Sequence, residues 1–347
     1  MGFSGCYTAL ITPLKTDFSI DWERFQQNIE YQIENNVSGI LAMGTTGESP
    51  TMSWDEHNEV IEKAIEFSKE RTTNISGTGS NNTNETLEGT KHAQHVGSDA
   101  VLLVDCYYNG PSSMELRKEY HGLVAEKFPD LEVIPYVIPG RTGCELLPED
   151  LAILADEYDN VNAVKEATLN IDRMKRTRTL VPEDFAILSG DDDITYTIMT
   201  DPEIKGAGVI SVMSNVAPRA MQEMCEAILE GDLDKARSLK EALTPLFGVV
   251  TVKTEETFTV RGKREKVPQK FRNPLPCKTL MAGLGIDSGV CRRPLGKMTK
   301  KGVEIVRNAV KTVLEKNPEI LEPLENFYDV NIEERVGNDD YWKLYYQ

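Results

Sequence analysis

Lys165 closes the short apolar run Val161-Asn-Ala-Val-Lys-Glu-Ala-Thr168, and two further strand-end motifs precede it, Gly44-Thr-Thr-Gly-Glu48 and Tyr136-Val-Ile-Pro-Gly-Arg-Thr-Gly143. A lysine at the mouth of a barrel, beside a tyrosine and paired threonines, suits Schiff-base chemistry on a keto acid. A free lysine amine titrates near about 10.4, so roughly one in a thousand or fewer is neutral at pH 7. Attack on a ketone therefore requires a pocket that disfavours the ammonium through desolvation or a nearby cation. Arg141 offers that cation, and its planar fork suits a carboxylate. The Tyr136 hydroxyl can carry protons while a carbinolamine forms and loses water. Thr45 and Thr46 offer hydroxyls and backbone amides to a second carboxylate. Taken singly these signals are weak. A lysine ending a strand is more often a solvated tip, and a lone tyrosine is more often a packed aromatic. The turn Gly44–Gly47 lacks the Gly-Lys-Ser/Thr ending of a phosphate-cradling loop. What carries the reading is that three motifs fall in order on alternating strand–helix units.

The positioning elements follow from the apolar pattern. Candidate strands are Cys6–Ile11, Gly39–Met43, Asn74–Gly77, Ala100–Val104, Glu132–Tyr136, Val161–Lys165, Ala186–Ser189 and Gly206–Ser211. Helix-length segments separate them, which predicts an α/β fold, a closed (β/α)8 TIM barrel. An open doubly wound sheet is the competitor, disfavoured because no glycine-rich dinucleotide turn follows the first strand. Trp22, Phe25, Ile29 and Ile33 recur at helical spacing behind Asp21 as N-cap, and Ser53-x-x-Glu56 has the form of a capping box ahead of Val60, Ile61, Ala64 and Ile65. Beyond about residue 230 the strand signal stops. Ala236, Leu239 and Leu243, then Cys277, Leu280, Met281 and Leu284, then Val303, Val306, Ala309, Val310 and Val313 predict helices. We expect a catalytic barrel over 1–229 and a C-terminal helical domain over 230–316. Thr254–Lys270, which contains Arg261-Gly-Lys-Arg-Glu-Lys266, reads as a charged insertion forming an exposed loop or hairpin. Residues 317–347 form an acidic tail ending in Tyr341-Trp-Lys-Leu-Tyr-Tyr346; its aromatics argue for docking on the body or on a neighbouring subunit rather than disorder.

Composition narrows the function classes. The formal net charge of −18 speaks against nucleic acid and anionic membranes as partners, while leaving room for a local basic pocket. Six scattered cysteines without a CxxC pair predict reduced thiols. No apolar run approaches the length of a membrane span and no signal-like leader opens the chain, so a cytoplasmic location is expected. His92 and His95 stand three apart on a predicted helix, but His57 and His121 complete no ligand pattern with them, so no metal is expected.

On these motifs the chain resembles the dihydrodipicolinate synthase family, within the pyruvate-dependent lyase and aldolase superfamily that also contains N-acetylneuraminate lyase; the match runs from about Tyr7 to Leu314. The resemblance implies a lyase that condenses pyruvate with L-aspartate 4-semialdehyde in lysine and diaminopimelate biosynthesis, without a cofactor. It implies Lys165 as the Schiff-base lysine and Tyr136 as proton shuttle. Thr45 and Tyr108 would complete a hydroxyl relay, with Tyr108 reaching in from an adjacent subunit of a homo-oligomer, a dimer or tetramer. Thr46 would hold the pyruvate carboxylate and Arg141 that of the aldehyde, while Gly190 and Ile210 would line the pocket. Ser49, Trp54, His57, Asn81, Glu85 and Tyr107 match positions that bind L-lysine as a feedback effector in some members. The paired threonines and Arg141 favour the synthase over sugar-acid lyases, since a short acidic aldehyde needs a cation whereas a polyol needs hydroxyl partners. Another Schiff-base aldolase, acting on keto-sugar acids or 4-hydroxy-2-oxoglutarate, and a non-catalytic metabolite-binding barrel are the alternatives. Val137 and Cys106 depart from the residues common in the family, Asn and Pro, and bear on fine geometry rather than on reaction type.

Overall fold

A computed structural model describes residues 2–347. Eight parallel strands close into a barrel in sequence order: β1 (Gly5–Ala9), β2 (Gly39–Ala42), β3 (Thr73–Gly77), β4 (Ala100–Val104), β5 (Glu132–Val137), β6 (Ala163–Glu166), β7 (Ala186–Ser189) and β8 (Gly208–Ser211). The strand ends differ from the sequence expectation by up to two residues. β1 and β8 pair through Tyr7 and Ile210, which closes the ring. The barrel is the predicted one because each strand is buried on both faces, so near-continuous apolar runs mark it.

Side-chain alternation decides what points into the lumen. Phe3, Tyr7, Leu41, Ile75, Leu102, Ile134, Tyr136, Ala163, Leu188 and Ile210 belong to one buried cluster, the inner layer of the barrel. Ala163 faces inward, so Lys165, two residues on, does too. The helices pack on the outer face. Asp21 accepts from the Arg24 amide at the head of Trp22–Glu34, and Ser53 and Glu56 form the reciprocal cap of Trp54–Ser68.

The helices Pro218–Glu230, Leu233–Phe247, Leu275–Leu284 and Lys300–Lys316 share a second core, and all ten residues of Leu275–Leu284 are buried. Ile320, Leu321, Leu324, Ile332 and Trp342 join that core, so the aromatic tail docks on the body. The Trp342 ring lies over Gly283, where a Cβ would sit 2.5 Å from it, and the Tyr328 hydroxyl donates to Asn28 Oδ1 at 2.8 Å.

The charged insertion takes the hairpin form, and strand structure extends beyond residue 230: β9 (Thr251–Val260) and β10 (Lys263–Arg272) form an antiparallel pair in register from Thr251↔Arg272 to Val260↔Lys263. The two-residue turn Arg261–Gly262 has positive φ at both positions, 49° and 80°, as a right-twisted hairpin demands. Most of its side chains are in solvent, so it shows no one-sided apolar alternation in the sequence.

Candidate active site

The C-terminal ends of the barrel strands carry the chemistry. Tyr136 and Lys165 are directly paired in the β5–β6 register. Lys165 Nζ sits 4.3 Å from the centroid of the Tyr136 ring, and each residue is 5% exposed. Burial lowers the Lys165 pKa to about 8 against the opposing pull of Asp191 and Asp192, and Arg141 adds to the lowering. Burial raises the Tyr136 phenol to about 12, offset in part by Arg141 and a hydrogen bond with Thr45. The pair is therefore an amine near its titration point beside a phenol that stays protonated.

Thr45, Tyr136 and Arg141 line one cavity of about 490 Å3, together with Ser49, Trp54, His57, Glu85 and Tyr107. Within a single chain Thr45, Tyr136 and Arg141 thus share a continuous space with five of the residues assigned to an effector. Asn81 does not line it, although its neighbour Ser80 donates to Glu85 Oε2 at 2.6 Å. The Trp54 and His57 rings stand 4.7 Å apart, and burial lowers the His57 pKa to about 4, leaving a neutral imidazole.

Lys165, Thr46, Gly190, Ile210 and Tyr108 lie outside that lining, Lys165 directly behind the Tyr136 ring that does border it. Thr46 is buried and accepts from Asn273 Nδ2 at 2.9 Å. Gly190 follows β7, donating its amide to Glu166 O at 2.8 Å, and Ile210 lies within β8. Tyr108 is 92% exposed with φ at 79° and does not line this chain's own cavity. Its loop is rooted by the buried Asp105, which accepts from the Leu146 amide at 3.0 Å and lies 2.8 Å from His121 Nε2.

Three features escape motif reading. Asn273 follows β10 and ties together both residues assigned to carboxylates: its side chain holds Thr46, and its carbonyl accepts from Arg141 Nη2 at 3.1 Å. Asp191, next to Gly190, has a pKa raised to about 6, first by burial and then by Asp193 and Asp192. The loop bearing the threonines is anchored by Glu48, whose carboxylate takes a 2.7 Å ion pair from the fully buried Lys278 and a 2.8 Å hydrogen bond from the Arg292 amide.

Residues 2–313 match the dihydrodipicolinate synthetase family. The chain belongs to this family. It is 39% identical over 309 residues to the 4-hydroxy-tetrahydrodipicolinate synthase of Methanocaldococcus jannaschii, covering 89% of this chain and 98% of that one. The dihydrodipicolinate synthase structure from Aquifex aeolicus superposes with a TM-score of 0.80 at 37% identity, over 89% of this chain and 98% of that one. The enzyme from Cyanidioschyzon merolae, solved with lysine bound, also gives 0.80, at 31% identity over 90% and 98%. The fold is the TIM barrel of an enzyme family. Among the described residues, no helix is long and apolar enough to cross a membrane.

Proposed function

We propose that this chain is a 4-hydroxy-tetrahydrodipicolinate synthase that joins pyruvate to L-aspartate 4-semialdehyde through an imine on Lys165, in lysine and diaminopimelate biosynthesis. The observation that carries this reading is the buried Lys165 amine, with its pKa near 8, held against the Tyr136 ring in the barrel lumen. The neutral amine attacks the pyruvate ketone. Tyr136, which shares the cavity wall with Thr45, passes protons as the carbinolamine loses water. The protonated imine is the electron sink, so loss of a methyl proton gives an enamine without any metal or organic cofactor. Its carbon attacks the aldehyde. The aldehyde substrate's own amine then displaces Lys165 and closes the ring.

Thr46, oriented by Asn273, receives the pyruvate carboxylate in this reading, and Arg141 that of the aldehyde. Gly190, just after β7, and Ile210, in β8, offer backbone groups to the pyruvate subsite in this reading. Tyr108, exposed on its own chain, completes the relay of a second copy, which makes the active form a homo-oligomer. L-lysine is the proposed effector, at Ser49, Trp54, His57, Asn81, Glu85 and Tyr107; lysine in a structural relative supports this. A soluble cytoplasmic location fits the substrates. Turnover with both substrates, lost in Lys165→Ala, tests the reaction. Failure of the parent to condense them overturns it, and a rate flat across millimolar lysine removes the effector.

A further inference from the structure

Beside the catalytic cavity, and sharing Thr45 and Arg141 with it, lies a second cavity of about 490 Å3 between the hairpin base, the segment Pro294–Lys297 and Tyr346. Strand alternation sets Lys270 and Arg272 on one face of β10. Both border this cavity, and Lys297 borders it from the C-terminal region. Among the described residues, no carboxylate pairs with Arg141, Lys270, Arg272 or Lys297; the hairpin's own acids go elsewhere, Glu255 to Lys266 and Glu256 to Lys301. Glu48 also borders the space, but Lys278 already neutralises it.

This concentration of unpaired positive charge occurs in a chain of net charge −18. It is also locally unfavourable. Lys253 stands directly across the ladder from Lys270, where like charges destabilise a strand pair. The Lys270 ammonium is held below its ordinary pKa by Arg272 first, then by slight desolvation, Lys253 and Arg141. A bound anion relieves all of these repulsions at once. The cavity leads to Arg141, which borders both spaces.

We propose that Lys270, Arg272 and Lys297 form an anion-collecting vestibule that gathers carboxylate substrates and passes them to Arg141 at the barrel mouth. The inference rests on the proposed function, since both substrates of that reaction carry carboxylates. Converging charges over low-dielectric walls raise the local concentration of an anion, and the effect fades once salt shortens the screening length below the width of the cavity. The hairpin is in this view a functional part of the site, supplying through its base cations that the barrel strands do not.

The test is steady-state kinetics of the full chain and its Lys270→Gln/Lys297→Gln variant, with ionic strength varied. Both side chains are exposed, so the substitutions leave the core intact. Arg272 is kept because its Nη1 donates to Gly140 O at 3.1 Å, next to Arg141. At low ionic strength the variant should show KM for pyruvate, the substrate with a net negative charge, raised about fivefold with kcat unchanged, and the gap should close to within about twofold near 0.5 M salt. Charge reversal in Lys270→Glu/Lys297→Glu should deepen the loss. Equal KM at low salt, or a loss that persists at high salt, overturns the vestibule. An inactive parent chain would instead indict the proposed reaction, so the two failures are distinguishable.

Discussion

The rate at which this chain forms an imine with pyruvate should rise with pH and then level off, and the shape of that curve is set by the burial of Lys165. The neutral amine is the nucleophile, so a pKa lowered to about 8 moves the active form into the physiological range. With that value roughly a tenth of the lysine is neutral at pH 7 and about nine-tenths at pH 9, a rise of about tenfold followed by a plateau. An ordinary solvated lysine would gain about a hundredfold over the same interval and keep climbing. Rapid mixing with pyruvate followed by borohydride quench, from about pH 6 to about pH 10, separates the two cases. The neighbours add a signed check. Asp191 raises the Lys165 pKa and Arg141 lowers it, so Asp191→Asn should move the midpoint down and Arg141→Ala should move it up. A log-linear climb with no plateau, or a midpoint that ignores both substitutions, refutes the reasoning.

Asn273→Ala removes the donor to the buried Thr46 hydroxyl, and at about 1–2 kcal/mol for such a bond the KM for pyruvate should rise roughly tenfold with the fold retained. Pyruvate saturation curves check it; an unchanged KM shows that Thr46 needs no such support. Lys278→Met strands the Glu48 carboxylate in the interior, which should cost about 3–5 kcal/mol of stability, read by urea unfolding, and adding Glu48→Gln should restore part of it. Trp342→Ala empties the ring site over Gly283 and should cost about 3–5 kcal/mol in the same assay, whereas a loss below about 1 kcal/mol would mean the tail contributes little to the core.

The barrel was legible because its strands are buried on both sides and announce themselves as apolar runs between helical patterns. Lys165, Tyr136 and the threonines were legible because each interrupts or ends such a run with a reactive group. Asn273 was not, since it lies 227 residues from Thr46 in an irregular segment after a charged stretch, where nothing periodic marks it. Asp191 was passed over beside Gly190 because its significance lies in burial next to Lys165, a property of the folded lumen. The sequence alone does not separate loop from hairpin here: Arg261–Gly262 is a valid two-residue turn, but strands facing solvent on both sides lack the apolar alternation that marks a strand. The docking of the tail was anticipated from its aromatics, but not its path, which runs through Tyr328 to Asn28 near the start of the chain.

The account depends above all on which nitrogen captures the ketone. Borohydride reduction of the chain with labelled pyruvate, followed by peptide mass spectrometry, reads this directly. A single stable adduct on Lys165, absent from Lys165→Ala, is the predicted result. Label on any other lysine, or full turnover with no trapped adduct, would contradict it.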